Sequence, residues 1–371
     1  MGLITGCSIA IFLVSIFGYA LQEKTPLAEQ GLIDSNQFYL NKYTYYSFFL
    51  ILTITSTMRF AFVDTYYYKD VYVWCKDKAY VIDKARDMER GWYYLNYALN
   101  FISKSPKMIL GLTAIVVIGA YILIIRKYSS DPLMSLLLFF FLEFMDTNNG
   151  MRQMLTAGLA IIGYMFFLKR KWWGYLIFIG LIVLGMQFHE SVKIVFVLML
   201  LVIGKPLNIR IIIPIISSLI FIVYPSAFQN LFESVLDESR YEYYLDYSNG
   251  MGLMRAVIVG VVPLVLSLIY VQQNKKREAI SKEEAVMINF TALNSVFVFM
   301  GLSTQFWARL AFYTAFAPMI MMPKYINTIF PEKYRRIVKP VALLLYFVFF
   351  VYNIYVNIEY GAMKDFYWSW D

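Results

Sequence analysis

His189 is the single histidine of this 371-residue chain, and it stands in Phe188-His189-Glu190-Ser191 at the end of an apolar run. An imidazole titrates at about 6.5 and suits proton transfer. A lone histidine also serves as an ordinary packing residue. Asp64 lies five residues after Arg59. It reads as a base or as the salt-bridge partner of Arg59, the second being the simpler reading. Arg59, Arg152 and Arg309 stand near the ends of apolar runs, and Arg240 stands between two such runs. A guanidinium is always charged and presents a planar fork of donors that matches phosphate oxygens. The bland alternative is snorkelling to a membrane edge, or pairing with buried acids such as Glu143 and Asp146. The inventory argues against a bound metal. No Asp-x-Asp occurs, no second His stands four residues from His189, and two cysteines, Cys7 and Cys75, cannot build a zinc or iron–sulfur site.

The elements that must position these groups follow from composition. The chain is 60% hydrophobic and only 16% charged, with mean hydropathy +0.58. A soluble domain carries about 45–50% apolar and about 25% charged residues. A soluble enzyme, a disordered chain and a nucleic-acid-binding module are thereby excluded. A bilayer-spanning helix needs about 20 mostly apolar residues. Stretches of this kind run over 3–21, 43–63, 108–125, 132–148, 153–168, 172–188, 191–204, 210–229, 253–271, 286–303, 308–323 and 340–358. The expected architecture is therefore all-α: a single polytopic membrane domain over 1–371 with about twelve transmembrane helices. The net charge of +8 then concerns membrane sidedness, with no nucleic-acid partner implied.

Lys and Arg in short loops mark the cytoplasmic side. One alternation places there most of the short-loop cations, from Lys24, Lys42, Arg126 and Lys127 to Arg335, Arg336 and Lys339. Both termini and two larger loops, about 64–107 and 230–252, then face outward. In the first of these, Trp92 to Phe101 reads as an amphipathic helix lying in the membrane interface. The second holds Arg240 among alternating tyrosines and charges. Arg59, Arg152, Arg240, Arg255 and Arg309, with Lys193 and Lys364, fall on the same outer face as His189, against the positive-inside pattern. Such a cluster at the membrane edge is what capture of a lipid-linked diphosphate requires.

Five segments, taken in order, resemble the EpsG-like family of bacterial polysaccharide polymerases, related to the Wzy-type O-antigen and capsule polymerases. Arg59 to Asp64, followed by Tyr66-Tyr67-Tyr68, is similar to the family's Arg…Asp…Tyr segment. Glu89-Arg90-Gly91-Trp92-Tyr93-Tyr94-Leu95-Asn96 is similar to its Glu-x-Gly-aromatic…Leu-Asn segment. Met151-Arg152-Gln153 with Ala157 and Ala160, then Phe188-His189-Glu190-Ser191, then Arg309 to Tyr313 complete the series.

The resemblance implies glycosyl transfer on the outer face of the bacterial cytoplasmic membrane. Undecaprenyl-diphosphate-linked oligosaccharide repeat units are joined, and undecaprenyl diphosphate leaves. No metal and no other cofactor is expected. Arg152, Arg309, Arg59 and Arg240 become candidates to neutralise the leaving diphosphate. His189, with Asp64 in reserve, becomes the candidate base for the acceptor hydroxyl. Tyr66, Trp92, Asn96, Gln153 and Tyr313 become candidate sugar contacts. Membrane lipid, a chain-length regulator and a flippase of the same pathway are the implied partners. Three rival readings stay open: a ligase passing the same donor to another acceptor, a flippase or transporter of the lipid-linked unit, and a non-catalytic membrane scaffold. The transporter would favour helices broken at Pro214, Pro263 or Pro318.

Overall fold

The computed structural model describes residues 2–21, 23–24, 38–87, 89–224, 252–274, 280–303, 305–359 and 366–367. Arg240 and the rest of the expected loop up to residue 251 lie outside the described residues. Each of the twelve expected apolar stretches is helical over most of its described length. Among the described residues, four helices are long and apolar enough to cross a bilayer: Gly2–Ala20, Lys107–Tyr128, Leu253–Asn274 and Glu332–Glu359. Shorter apolar helices are Pro132–Leu142, Met151–Phe167, Trp172–Met186 and Ile209–Val223. Extended pairing among the described residues is limited to a two-residue antiparallel ladder, Glu23–Lys24 with Phe38–Tyr39. The chain is an all-α polytopic membrane protein.

By its contacts the chain forms two compact units, residues 1–193 with 340–371, and residues 194–339. In the first, the helices Gly2–Ala20, Lys42–Met58, Lys107–Tyr128, Met151–Phe167 and Trp172–Met186 pack each on the next. In the second, Lys282–Met300 is the central helix, and every residue from Glu284 to Phe299 is buried. Its polar side chains are tied to neighbours. Asn289 accepts the Leu207 N–H and donates to the Val202 carbonyl, and Ser295 donates to the Gly260 carbonyl. Hydropathy sees these runs but not where polar residues stop them. The helix expected over 43–63 ends at Met58, before Arg59. The helix starting at Pro132 ends at Leu142, before the buried Glu143. At 1.5 Å per residue it is about 16 Å long, half a hydrocarbon core.

The three prolines differ. Pro214 lies inside Ile209–Val223. Pro263 follows a π-helical stretch, Ala256–Val261, where a residue without an N–H disturbs the regular ladder. Pro318 sits in the first turn of Phe316–Ile329, a position that needs no N–H from it.

The long loop at 64–107 is a folded cap of three short helices, Thr65–Trp74, Lys78–Asp87 and Arg90–Leu99. The amphipathic helix is present at Arg90–Leu99. Its face of Trp92, Tyr93, Asn96 and Leu99 is buried against protein, and Trp92, Tyr93 and Leu99 cluster with Tyr68, Val71, Tyr72, Ile109, Leu110, Met151 and Leu155. The pattern of the sequence marks a face to be covered; here protein covers it, where interfacial lipid was expected. Both cysteines are free and buried. Burial pushes the Cys75 thiol, in the cap, up to about 12.

Candidate functional site

The Met151–Phe167 helix begins at a sharp turn. The residue before it, Gly150, has φ +60°, a left-handed conformation that glycine adopts without a Cβ clash. The Gly150 N–H donates to Asp64 Oδ2 at 2.9 Å. Asp64 itself follows Val63, whose φ is +48°. A β-branched residue there is strained, and the strain falls next to a candidate site residue.

Arg152 follows in the first turn. Its Nη1 donates to Glu89 Oε2 at 3.0 Å, and the two side chains are only 15% and 12% exposed. The Tyr68 hydroxyl lies close enough to the guanidinium to feel its charge. Its Nε is buried with no hydrogen-bond partner. Burial pushes the Tyr68 phenol above its ordinary range, Asp64 adds to that, and Arg152 opposes it. Tyr68 therefore stays neutral beside the cation. Burial is also the main cause that raises the Tyr93 phenol.

Glu89 leads into the Arg90–Leu99 helix, which touches the turn after Trp172–Met186. The Trp92 N–H donates to the Gln187 carbonyl at 3.3 Å. A Cβ on Gly91 would stand 2.6 Å from Gln187 Cβ and 2.8 Å from its carbonyl oxygen. Only a glycine permits that approach. The same turn carries His189, which is half-buried. Its Nδ1 lies 3.2 Å from the Ser191 backbone nitrogen and 2.8 Å from Ser191 Oγ. A backbone N–H can only donate, so Nδ1 is the acceptor, and the neutral ring carries its proton on Nε2. Glu89 Oε1 accepts the Glu190 N–H at 3.4 Å, one residue from His189.

Four segments far apart in sequence thus converge: 63–68, 89–93, 150–153 and 187–191. The EpsG family model matches residues 42–367. The chain belongs to the EpsG family. No curated protein and no solved structure matches it significantly. Membership of the EpsG family suggests a role in polysaccharide polymerisation and fits a multi-pass membrane protein.

The remaining expected residues divide. Arg59 is 2% exposed. It donates to Thr65 Oγ1 at 3.3 Å, to the Ser56 carbonyl and to the Asn148 carbonyl at 3.4 Å. That geometry makes Arg59 a clamp on the turn before Asp64 and not an open phosphate ligand. Trp92 and Asn96 are 1% and 0% exposed, with Asn96 donating to the Trp92 carbonyl. They support the cap from inside; sugar contact would require it to open. Gln153 is also buried, while Tyr66 is 44% exposed and packs edge-on against Phe60. Arg309 and Tyr313 belong to the second unit, Arg309 half-buried in the last turn of Gln305–Leu310 and Tyr313 fully buried. Sequence reasoning assigns no role to Glu89, Tyr68, Gly91 or Gly150. Glu89 and Gly91 lie inside one of the five family-like segments, and a glycine beside an acid at a helix entrance is the available signal. Among the described residues no group of three or more His, Cys, Asp or Glu side chains could hold a metal ion.

Proposed function

We propose that the protein joins undecaprenyl-diphosphate-linked oligosaccharide repeat units into a polysaccharide, on the outer face of the bacterial cytoplasmic membrane. The acceptor hydroxyl oxygen forms a bond to the anomeric carbon of the donor glycan. The bond from that carbon to the diphosphate oxygen breaks, undecaprenyl diphosphate departs with the electron pair, and the hydroxyl proton passes to a base. Negative charge builds on the leaving diphosphate, and an oriented cation stabilises it most in the transition state. Arg152 is the cation best suited, because Glu89 orients it and its Nε–H lacks an acceptor. Arg309 and Arg240 are further candidates. His189 and Asp64 are the acid–base candidates. The single observation that carries the reading is the convergence of Arg152 with the His189 turn through Glu89.

The test is purified protein in liposomes with lipid-linked repeat units. Longer glycans form without nucleotide sugar or added metal. Movement of the unit across the bilayer without elongation overturns the polymerase reading in favour of a transporter. Transfer to a non-glycan acceptor only makes the protein a ligase.

A further inference from the structure

Glu89 touches both halves of the constellation. Its Oε2 accepts from Arg152, and its Oε1 accepts the Glu190 N–H beside His189. A partly buried cation needs a counter-charge, so the pair could be a staple and no more. Two observations go beyond that. The contact between the Arg90–Leu99 helix and the 187–191 turn has its own fastenings, the Trp92–Gln187 hydrogen bond and the close approach at Gly91. Neither uses the Glu89 carboxylate. The pairing also leaves the Arg152 Nε buried and without an acceptor. An unpaired buried donor is unfavourable, and an anionic oxygen that reaches it when the cap opens removes that cost.

We propose that Glu89 is a positioning residue, which holds the Arg152 guanidinium and the His189 turn in one arrangement, so that the guanidinium is aligned for a phosphate oxygen of the substrate when the cap residues over it move aside. The inference rests on the polymerase reading. Its consequence is a divided effect. The negative charge of Glu89 opposes ground-state attraction of a diphosphate, whereas the alignment it imposes acts when charge develops on the leaving group.

In the liposome assay Glu89→Gln lowers kcat at least about 10-fold, and KM for the lipid-linked donor stays level or falls. A loss of folded protein would lower kcat with KM unmoved, so a coupling test is added. In an Arg152→Lys background, where the fork is already gone, Glu89→Gln costs less than about 3-fold more. Glu89→Asp, with its shorter reach, restores part of kcat. If Glu89→Gln does not accumulate, Glu89→Asp carries the test: a reduced kcat without a raised KM supports the role, and a wild-type kcat overturns it. A raised KM at unchanged kcat, or costs that multiply fully in the double variant, overturns the inference while leaving the polymerase intact. A wild-type protein that makes no longer chains removes the polymerase reading, and this inference with it.

Discussion

Asp64 and Gly150, 86 residues apart in sequence, are joined by a 2.9 Å hydrogen bond from the Gly150 N–H to Asp64 Oδ2. Each end rests on backbone in the left-handed region, Val63 at φ +48° and Gly150 at φ +60°. The valine conformation costs about 1–2 kcal/mol, and the contact it makes possible fixes the start of the Met151–Phe167 helix. Arg152 lies two residues further on. Asp64 is therefore tied to the placement of Arg152, whatever else it does.

That relationship separates a positioning role from a base. Asp64→Asn keeps an oxygen that can accept the Gly150 N–H; Asp64→Ala does not. Elongation should stay within about threefold of wild type for Asn and fall about 10-fold or more for Ala, since one hydrogen bond to a charged group is worth about 1.5–3 kcal/mol. The rate of glycan lengthening reads both. If Asn is as inactive as Ala, Asp64 is the base.

Gly91 gives a steric test. Its added Cβ would meet Gln187 at 2.6 Å, and the nearest atoms include backbone. Gly91→Ala should cost about 1–3 kcal/mol through overpacking and should part the Glu89 end of the cap from the His189 turn. Gly180, where an added Cβ would meet nothing within 4 Å, is the control. Gly180→Ala in the Trp172–Met186 helix should be neutral or stabilise by about 0.5–1 kcal/mol. Thermal midpoints in detergent compare the two. Equal midpoints would mean that the Arg90–Leu99 helix does not depend on this approach.

Much of the helical architecture was legible because apolar runs of sufficient length have few alternatives. The segments 59–68, 89–96, 151–153 and 188–191 were legible as separate pieces. Their meeting was not. Glu89 and Arg152 are 63 residues apart, and no local pattern encodes such a pair. Burial was also hidden for Arg59, since an arginine at the end of an apolar run reads equally as a ligand or as a clamp. Trp92 and Asn96 show the same limit. Their spacing on one helical face predicts that the face is covered, and only the structure shows that Trp92 is covered by a cluster with Tyr68, Leu110 and Met151.

Arg59 and Arg152 should consequently fail in different ways. Arg59→Ala leaves the buried carbonyls of Ser56 and Asn148 without this donor, at about 1–3 kcal/mol each. Arg59→Lys cannot reach three acceptors at once, so both variants should accumulate poorly. Arg152→Lys keeps the charge opposite Glu89 and should accumulate normally, yet retain only part of the elongation rate for want of the fork. Protein yield and elongation rate per folded molecule distinguish the two sites. Normal accumulation of Arg59→Ala would place Arg59 with the substrate instead.

His189 poses the last question, which of its nitrogens works. Nδ1 accepts the Ser191 N–H, so in the neutral ring the lone pair faces Ser191 and the proton sits on Nε2. Ser191 Oγ, at 2.8 Å from Nδ1, is placed to hand on a proton taken from an acceptor hydroxyl. Base catalysis in this tautomer therefore runs through Ser191. Ser191→Ala keeps the backbone N–H bond but removes the relay, and should lower elongation by about the 10²–10⁴-fold ascribed to general acid–base catalysis, close to His189→Ala. If His189 instead donates from Nε2 to a phosphate oxygen, Ser191→Ala should cost only a few-fold while His189→Ala remains severe. The ratio of these two losses, measured on the same lipid-linked donor, decides between a base and a hydrogen-bond donor.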